Sequence, residues 1–204
     1  GLAFHIACAL ALYKLIFDLQ RYAAQRAALP PATGLEAHAP AFIAAAAFAI
    51  HPVAVYGAGY LIQRMSVFAT LFSLLSIALY ARGLARRSHA DAISAGLAYS
   101  LAVLSRETAV MLPAAALAAG LIVAVERRFA LRHAALYLAC CVPAAVLVTL
   151  LVKGKIGTAY EPDFGVVSAQ IAQAGAPAAL ASPWLESAVT QAGLFFRYLA
   201  LWLF

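Results

Sequence analysis

Three short polar motifs stand at the ends of successive apolar segments between residues 49 and 107. They are His51-Pro52, Gln63-Arg64 and Ser105-Arg106-Glu107. Arginine within an apolar span is costly and usually faces a cavity or a partner. Because a guanidinium offers a planar fork of donors, Arg64 and Arg106 are candidates for binding a phosphate or pyrophosphate group. The alternative is that Arg64 pairs with Glu107 and only ties two helices together.

Other polar side chains could complete such a site. His51 could donate a hydrogen bond to a substrate, act as a general base or cap a helix end. Glu107 is the only carboxylate in the cluster, so it is the internal candidate for acid/base catalysis, although it could instead orient an arginine. Arg197, in the last apolar segment, could add a third cation or extend to the membrane interface. The chain contains no P-loop, HExxH, GxSxG or GxGxxG pattern.

The composition is that of a polytopic membrane protein. Of 204 residues, 66% are hydrophobic and 11% are charged, and the mean hydropathy is +0.91, whereas globular domains carry about 25% charged residues. The net charge of +6 comes from basic residues scattered between apolar runs, which fits the positive-inside rule better than nucleic-acid binding. Cys8, Cys140 and Cys141 lie in apolar runs and indicate neither a metal site nor a disulfide framework. These patterns identify no cofactor, and a divalent metal requirement stays open.

Apolar segments predict the elements that carry the motifs. The predicted membrane spans are residues 1–17, 41–62, 65–81, 92–104, 108–125, 134–152 and 189–204. A continuous helix over residues 91–125 would be about 52 Å long, far more than the ~30 Å hydrocarbon core, so it must break. The charges of Arg106 and Glu107 indicate the position of that break. A second bend or end is predicted at His51-Pro52, because proline disrupts a helix.

If these spans cross a membrane alternately in opposite directions, the charged residues between them divide into two groups, one on each side. One side receives Arg21, Arg26, Arg82, Arg86, Arg87, Arg127, Arg128 and Arg132. The positive-inside rule makes that side cytoplasmic. The opposite side receives all three polar motifs and residues 153–187, which we expect to form an extracytoplasmic loop. The motifs are therefore predicted to converge on an outward-facing cationic pocket.

The predicted fold is an all-α polytopic membrane protein with a bundle of about seven transmembrane helices. Gly1 lies inside one apolar run and Phe204 inside another. We therefore expect an internal part of a longer protein, with residues 1–204 forming one transmembrane domain that is incomplete at both ends.

Parts of the sequence resemble a known family. They are AFAIHPVAVYGAGYLIQRMSVFATLFSLLSIALYARG, then AYSLAVLSRETAVMLPAAAL, then ESAVTQAGLFFRYLALWLF. Their order is similar to the membrane region of GT-C fold glycosyltransferases, in particular the transmembrane and TPR repeat-containing O-mannosyltransferases and their bacterial relatives. That family typically has a His-Pro, a Gln-Arg or Gly-Arg, a Ser-Lys-Glu before a proline-containing span, and a late aromatic helix with arginine. The likeness covers nearly the whole chain, and Arg106 stands where lysine is common.

The resemblance implies a hexosyltransferase that moves a sugar from a polyprenyl-phosphate-linked donor to a protein or glycan acceptor. It would lie in a bacterial inner membrane among membrane lipids, with its site on the periplasmic side and no nucleic-acid partner. By this resemblance, the residues that would bind the lipid-linked sugar donor are His51, Gln63, Arg64, Arg106, Glu107 and Arg197. The catalytic carboxylate of that fold usually lies in an upstream extracytoplasmic loop, so we expect it outside this chain. The competing hypotheses are a non-catalytic membrane subunit of a larger complex and a transporter or flippase of lipid-linked sugars.

Overall fold

The structure, a computed structural model, describes residues 1–30, 32–51, 59, 63–152, 193, 194 and 197. The chain divides into two compact units, Gly1–Leu151 and Val152–Phe204. In the second unit, the described residues 193, 194 and 197 are helical. The predicted loop at residues 153–187 lies outside the described residues.

Helices account for nearly all of the described first unit. They are α1 (Leu2–Arg26), α2 (Gly34–Ile50), α3 (Arg64–Arg86), α4 (His89–Ser105), α5 (Leu112–Val123) and α6 (Arg127–Val152), with a 3₁₀ turn at Glu107–Met111. Alanine and leucine dominate these segments, and both are strong helix formers. No strand occurs in the described ranges, so the all-helical class predicted from the sequence is confirmed for them.

Three of the described helices are long and apolar enough to cross a membrane. They are α1, α3 and residues 127–151 of α6, with mean hydropathies of 1.7, 1.7 and 2.3. The longest would extend about 37 Å, which exceeds the ~30 Å hydrocarbon core. α2 and the segment Glu107–Val123 are apolar but shorter. The described part of the fold is therefore consistent with a membrane protein and contains three candidate spans, where the sequence predicts about seven over the whole chain.

Helix α3 is the central element of the first unit. It packs most extensively on α4 and also contacts α1 and α5. The α3 and α4 helices run antiparallel: the Ser76 hydroxyl donates to the Ala95 carbonyl oxygen at 2.8 Å, and Arg82 pairs with Asp91 at 2.6 Å. Helix α6 joins this group, because the Tyr137 hydroxyl lies 3.2 Å from that of Ser76.

Small residues allow these helices to approach closely. A Cβ atom added at Gly96 in α4 would collide with the Cβ of Cys140 in α6. A Cβ at Gly120 in α5 would lie 2.9 Å from a ring carbon of Tyr80 in α3. Ala92 and Ala95 are also fully buried. Close contact through small residues is the usual means of helix association in membranes, where apolar side chains gain little by leaving lipid.

Arginines gather at one end of the first unit, which we call the basic end. Helices α3 and α5 end there, and α4 and α6 begin there. Arg87 pairs with Glu126 at 2.9 Å, and the Arg26 guanidinium at the end of α1 donates to the Leu121 carbonyl near the end of α5. The alternation of predicted spans assigned these arginines to one side of a membrane. In the structure they lie near helix ends that meet.

The helix bounds correct three of the predicted segments. α1 continues to Arg26 instead of ending at residue 17, and α2 begins at Gly34 instead of residue 41, so the connection between these two helices is much shorter than the sequence predicted. Lysine and arginine are good helix formers whose stems pack on apolar surface, so charge alone did not end these helices. For the same reason Arg127, Arg128 and Arg132 lie in the first turns of α6 rather than in a loop.

The two predicted breaks are confirmed. α2 ends at Ile50, and His51 takes an extended conformation, with φ −65° and ψ 128°. That conformation is favoured because the next residue is Pro52. α4 ends at Ser105, and Arg106 is extended, with φ −156° and ψ 127°.

We expect Gly96→Val to lower the free energy of unfolding by about 1–3 kcal/mol, because the added carbons would force α4 away from α6. Denaturant unfolding in detergent micelles measures the change. Ser94→Val, on the exposed face of the same helix, is the matched control and should have little effect. Equal losses in both variants would contradict close α4–α6 packing.

Candidate functional site

The backbone between α4 and α5 presents Arg106 at the end of the unit opposite the basic end. The Ser105 hydroxyl donates to the Leu101 carbonyl oxygen at 2.7 Å. The backbone N–H of Arg106 donates to the Ala102 carbonyl oxygen at 3.0 Å. Pro113 lies in the first turn of α5, where its missing N–H costs nothing. Within a continuous helix the same proline would lose a hydrogen bond and clash with the preceding turn. The sequence therefore encodes the break that exposes Arg106.

The first turn of α3 holds the Arg106 guanidinium. Its Nη1 donates to the Ser66 hydroxyl and to the Gln63 side-chain oxygen at 3.4 Å. The Ser66 hydroxyl in turn donates to the same Gln63 oxygen at 2.8 Å. A guanidinium has more donors than these two bonds use, and Arg106 is exposed. One side of the group is thus fixed by α3, and the other can bind an anion.

An open groove of about 520 Å³ adjoins Arg106, between α3 and the segment that leads into α5. It is lined by Ser66, Ala69, Thr70, Ser73, Leu74, Arg106, Thr108, Ala109, Met111, Leu112 and Ala115. Its volume is within the ~300–1,000 Å³ typical of small-molecule sites. The lining combines one cation, a few hydroxyl groups and apolar walls. That combination suits an amphipathic anion, with its charge at Arg106 and its apolar part against the walls.

Sequence reasoning missed the hydroxyl groups along this groove. Ser66, Thr70 and Ser73 follow one face of α3, because residues spaced four and three apart in a helix lie above one another. The Thr70 hydroxyl donates to the Ser66 carbonyl oxygen at 2.8 Å, which leaves its oxygen free to accept. The spacing was visible in the sequence, but hydroxyl residues are common in membrane helices and did not stand out beside the arginines.

The predicted site residues separate into distinct positions. Gln63 and Arg106 are brought together, as expected. Arg64 is exposed at the start of α3 and lines a different, smaller pocket of about 110 Å³ with Phe4 and Val67 among its walls. Glu107 is exposed at the start of the 3₁₀ turn. The ion pairs of the described ranges do not include one between Arg64 and Glu107.

Two further predicted residues are His51 and Arg197. His51 caps α2, and its N–H donates to the Phe48 carbonyl oxygen at 3.3 Å. Arg197 is an exposed helical residue of the second unit. The substrate-binding roles of His51 and Arg197 stay predictions.

The buried histidines and cysteines have structural surroundings. His5 Nε2 in α1 lies 3.0 Å from the Ala49 carbonyl oxygen in α2, so this residue joins two helices. Cys8 and Cys141 are buried, and the cysteines, including Cys140, are unpaired. Within the described ranges, no group of three or more His, Cys, Asp or Glu residues could hold a metal ion.

Comparison of this chain with protein-family models, curated proteins and solved structures finds no match. The resemblance to GT-C glycosyltransferases therefore stays a prediction. The groove and the residues that hold Arg106 are the features that bear on function.

Gln63→Ala combined with Ser66→Ala should free the Arg106 guanidinium. We expect a dicarbonyl reagent to modify Arg106 about two- to tenfold faster, as lost hydrogen bonds of about 0.5–1.5 kcal/mol imply. Mass spectrometry of the modified peptide gives the rate. Ser73→Ala changes a hydroxyl of the same groove that does not contact Arg106, and it should leave the rate unchanged; an unchanged rate in the double variant would show that α3 does not hold the guanidinium.

Proposed function

We propose that this chain is a membrane domain of a glycosyltransferase that moves a sugar from a polyprenyl-phosphate-linked donor to a protein or glycan acceptor. The observation that carries the proposal is the exposed Arg106 guanidinium, held by Gln63 and Ser66 at the end of an apolar groove. The proposal includes a GT-C-like bundle of about seven spans in a bacterial inner membrane, with the site on the periplasmic side.

The shape of a polyprenyl-phosphate donor matches the distribution of polarity in the groove. A phosphate at Arg106 would receive charge-assisted hydrogen bonds from the donors that α3 does not use. From there the groove follows α3 past Ala69 to Leu74, with Leu112 and Ala115 also on its walls. This apolar path would carry the first isoprene units toward the lipid, and the sugar would face the aqueous side.

Arg106 would contribute to transfer by stabilising the leaving group. When the acceptor oxygen attacks the anomeric carbon, the bond from that carbon to the phosphate oxygen breaks. The bonding electrons stay with the phosphate, so negative charge grows next to the guanidinium. A donor that is already in place stabilises this developing charge without reorganisation, which lowers the barrier.

The acceptor must also lose a proton, and the described residues that line the groove include no carboxylate. Glu107 follows Arg106 directly and is exposed, so it stays the internal candidate for this base. The resemblance instead implies a carboxylate in a loop outside the chain. The remaining proposed donor contacts are His51, Arg64 and Arg197.

The described lining of the groove, with Arg106 beside apolar walls, also fits a second candidate function. A groove with one cation and apolar walls could bind a lipid phosphate without catalysing transfer. The chain would then be a non-catalytic subunit of a larger complex, or a transporter or flippase of lipid-linked sugars. Transfer and binding must therefore be measured separately.

Arg106→Ala should lower sugar transfer about 10- to 100-fold, because hydrogen bonds to a charged group are worth about 1.5–3 kcal/mol. The assay follows radiolabelled sugar from polyprenyl-phosphate donors to acceptors in membranes that contain the protein. Arg106→Lys should retain part of the activity, since it keeps the charge but loses the fork. Arg87→Ala, at the basic end, is the matched control and should transfer normally.

The outcomes separate the hypotheses. Full transfer by Arg106→Ala at equal abundance would remove this residue from the donor site. A wild-type protein that binds the donors but transfers none of the mannosyl, glucosyl or arabinosyl groups would favour the subunit or transporter.

A further inference from the structure

The first unit contains a second, larger groove, at the basic end. Its volume is about 680 Å³, and it lies between α5 and the first turns of α6, with Tyr80 and Leu84 of α3 at its base. Arg26 and Arg127 are part of its lining. We propose that this groove binds one anionic phospholipid of the surrounding bilayer, with an acyl chain in the groove and the phosphate at Arg26 and Arg127. This binding is independent of sugar transfer.

The walls of the groove suit a hydrocarbon chain. Small residues, including Ala114, Ala118 and Gly120, form its α5 side. Bulky apolar side chains stand at its edges, with Leu121 76% and Leu131 61% exposed. A groove of this volume with exposed apolar side chains along it suits an apolar ligand such as an acyl chain.

The charge at the mouth of the groove determines which lipid it would select. Arg26 uses one donor on the Leu121 carbonyl and has no carboxylate partner among the ion pairs of the described ranges. Arg127 also has no carboxylate partner among the ion pairs of the described ranges. The neighbouring Glu126 pairs with Arg87 instead. The N-terminal end of α6 adds a partial positive charge at Arg127. Basic pockets between membrane helices on the cytoplasmic side are typical binding sites for anionic head groups.

The adjacent residue provides a matched control. Arg127 and Arg128 are both exposed at the start of α6, but only Arg127 lines the groove. Changing either to glutamine removes one positive charge from the same helix turn. If lipid binding depended only on surface charge, both variants would weaken it equally. If the lipid binds in the groove, only the Arg127 variant would weaken it.

Native mass spectrometry of the protein in detergent, titrated with phosphatidylglycerol or phosphatidylcholine of the same acyl chains, tests the proposal. We expect one phosphatidylglycerol to bind wild type more tightly than phosphatidylcholine does. Arg127→Gln should weaken its binding about fivefold, and Arg127→Lys and Arg128→Gln should not. Ala118→Trp should abolish binding by filling the groove while every charge remains.

Three results would overturn the proposal. Equal binding of the two lipids would show no head-group selection. Equal losses in Arg127→Gln and Arg128→Gln would reduce the effect to surface charge. Normal lipid binding by a folded Ala118→Trp would show that the groove is not the site, as expected if residues 153–204 or another protein fill it. Ala114→Leu, a smaller change on the same wall, decides the question if the tryptophan variant does not fold.

Discussion

The close antiparallel packing of α3 against α4 is the interaction on which the rest of the first unit depends. Ser76 bonds to the Ala95 carbonyl in its middle, and Arg82 bonds to Asp91 near one end through two nitrogens. These bonds fix the register along the pair. In that same register, the last turn of α4 reaches the first turn of α3, so Arg106 meets Ser66. The candidate site is thus a consequence of helix packing several turns away.

The packing of α3 also explains why the two grooves lie at opposite ends. At the basic end, Tyr80 and Leu84 are close to Gly120 of α5, and the larger groove opens beside them. At the other end, the 3₁₀ turn separates α4 from α5, and the smaller groove opens next to Ser66 and Thr70. Both grooves are therefore gaps beside α3. They differ in their charged residues, which are Arg26 and Arg127 in the larger groove and Arg106 in the smaller one.

Much of this organisation could be predicted from the sequence, for identifiable reasons. The break at Arg106 followed from a length argument, since the hydrocarbon core limits the length of a span. The convergence of Gln63 with Arg106 followed from the alternation of spans. Helix ends were predicted less well, because arginines at residues 26 and 127 were treated as loop residues although they continue helices. The hydroxyl groups on α3 were missed because their role depends on which face α5 leaves uncovered, and a single sequence does not encode that face in any local pattern.

The tight connection between α3 and α4 has a consequence for how the protein enters a membrane. Arg87 adopts a left-handed conformation, with φ 54°, and only Ser88 separates it from the first residue of α4. The two helices therefore form a helical hairpin. Its closed end carries Arg82, Arg86 and Arg87, a charge bias that would retain it on the side of synthesis. Arg64 and Arg106 both lie at the open end of the hairpin, so they would face the same side of any membrane that both helices cross.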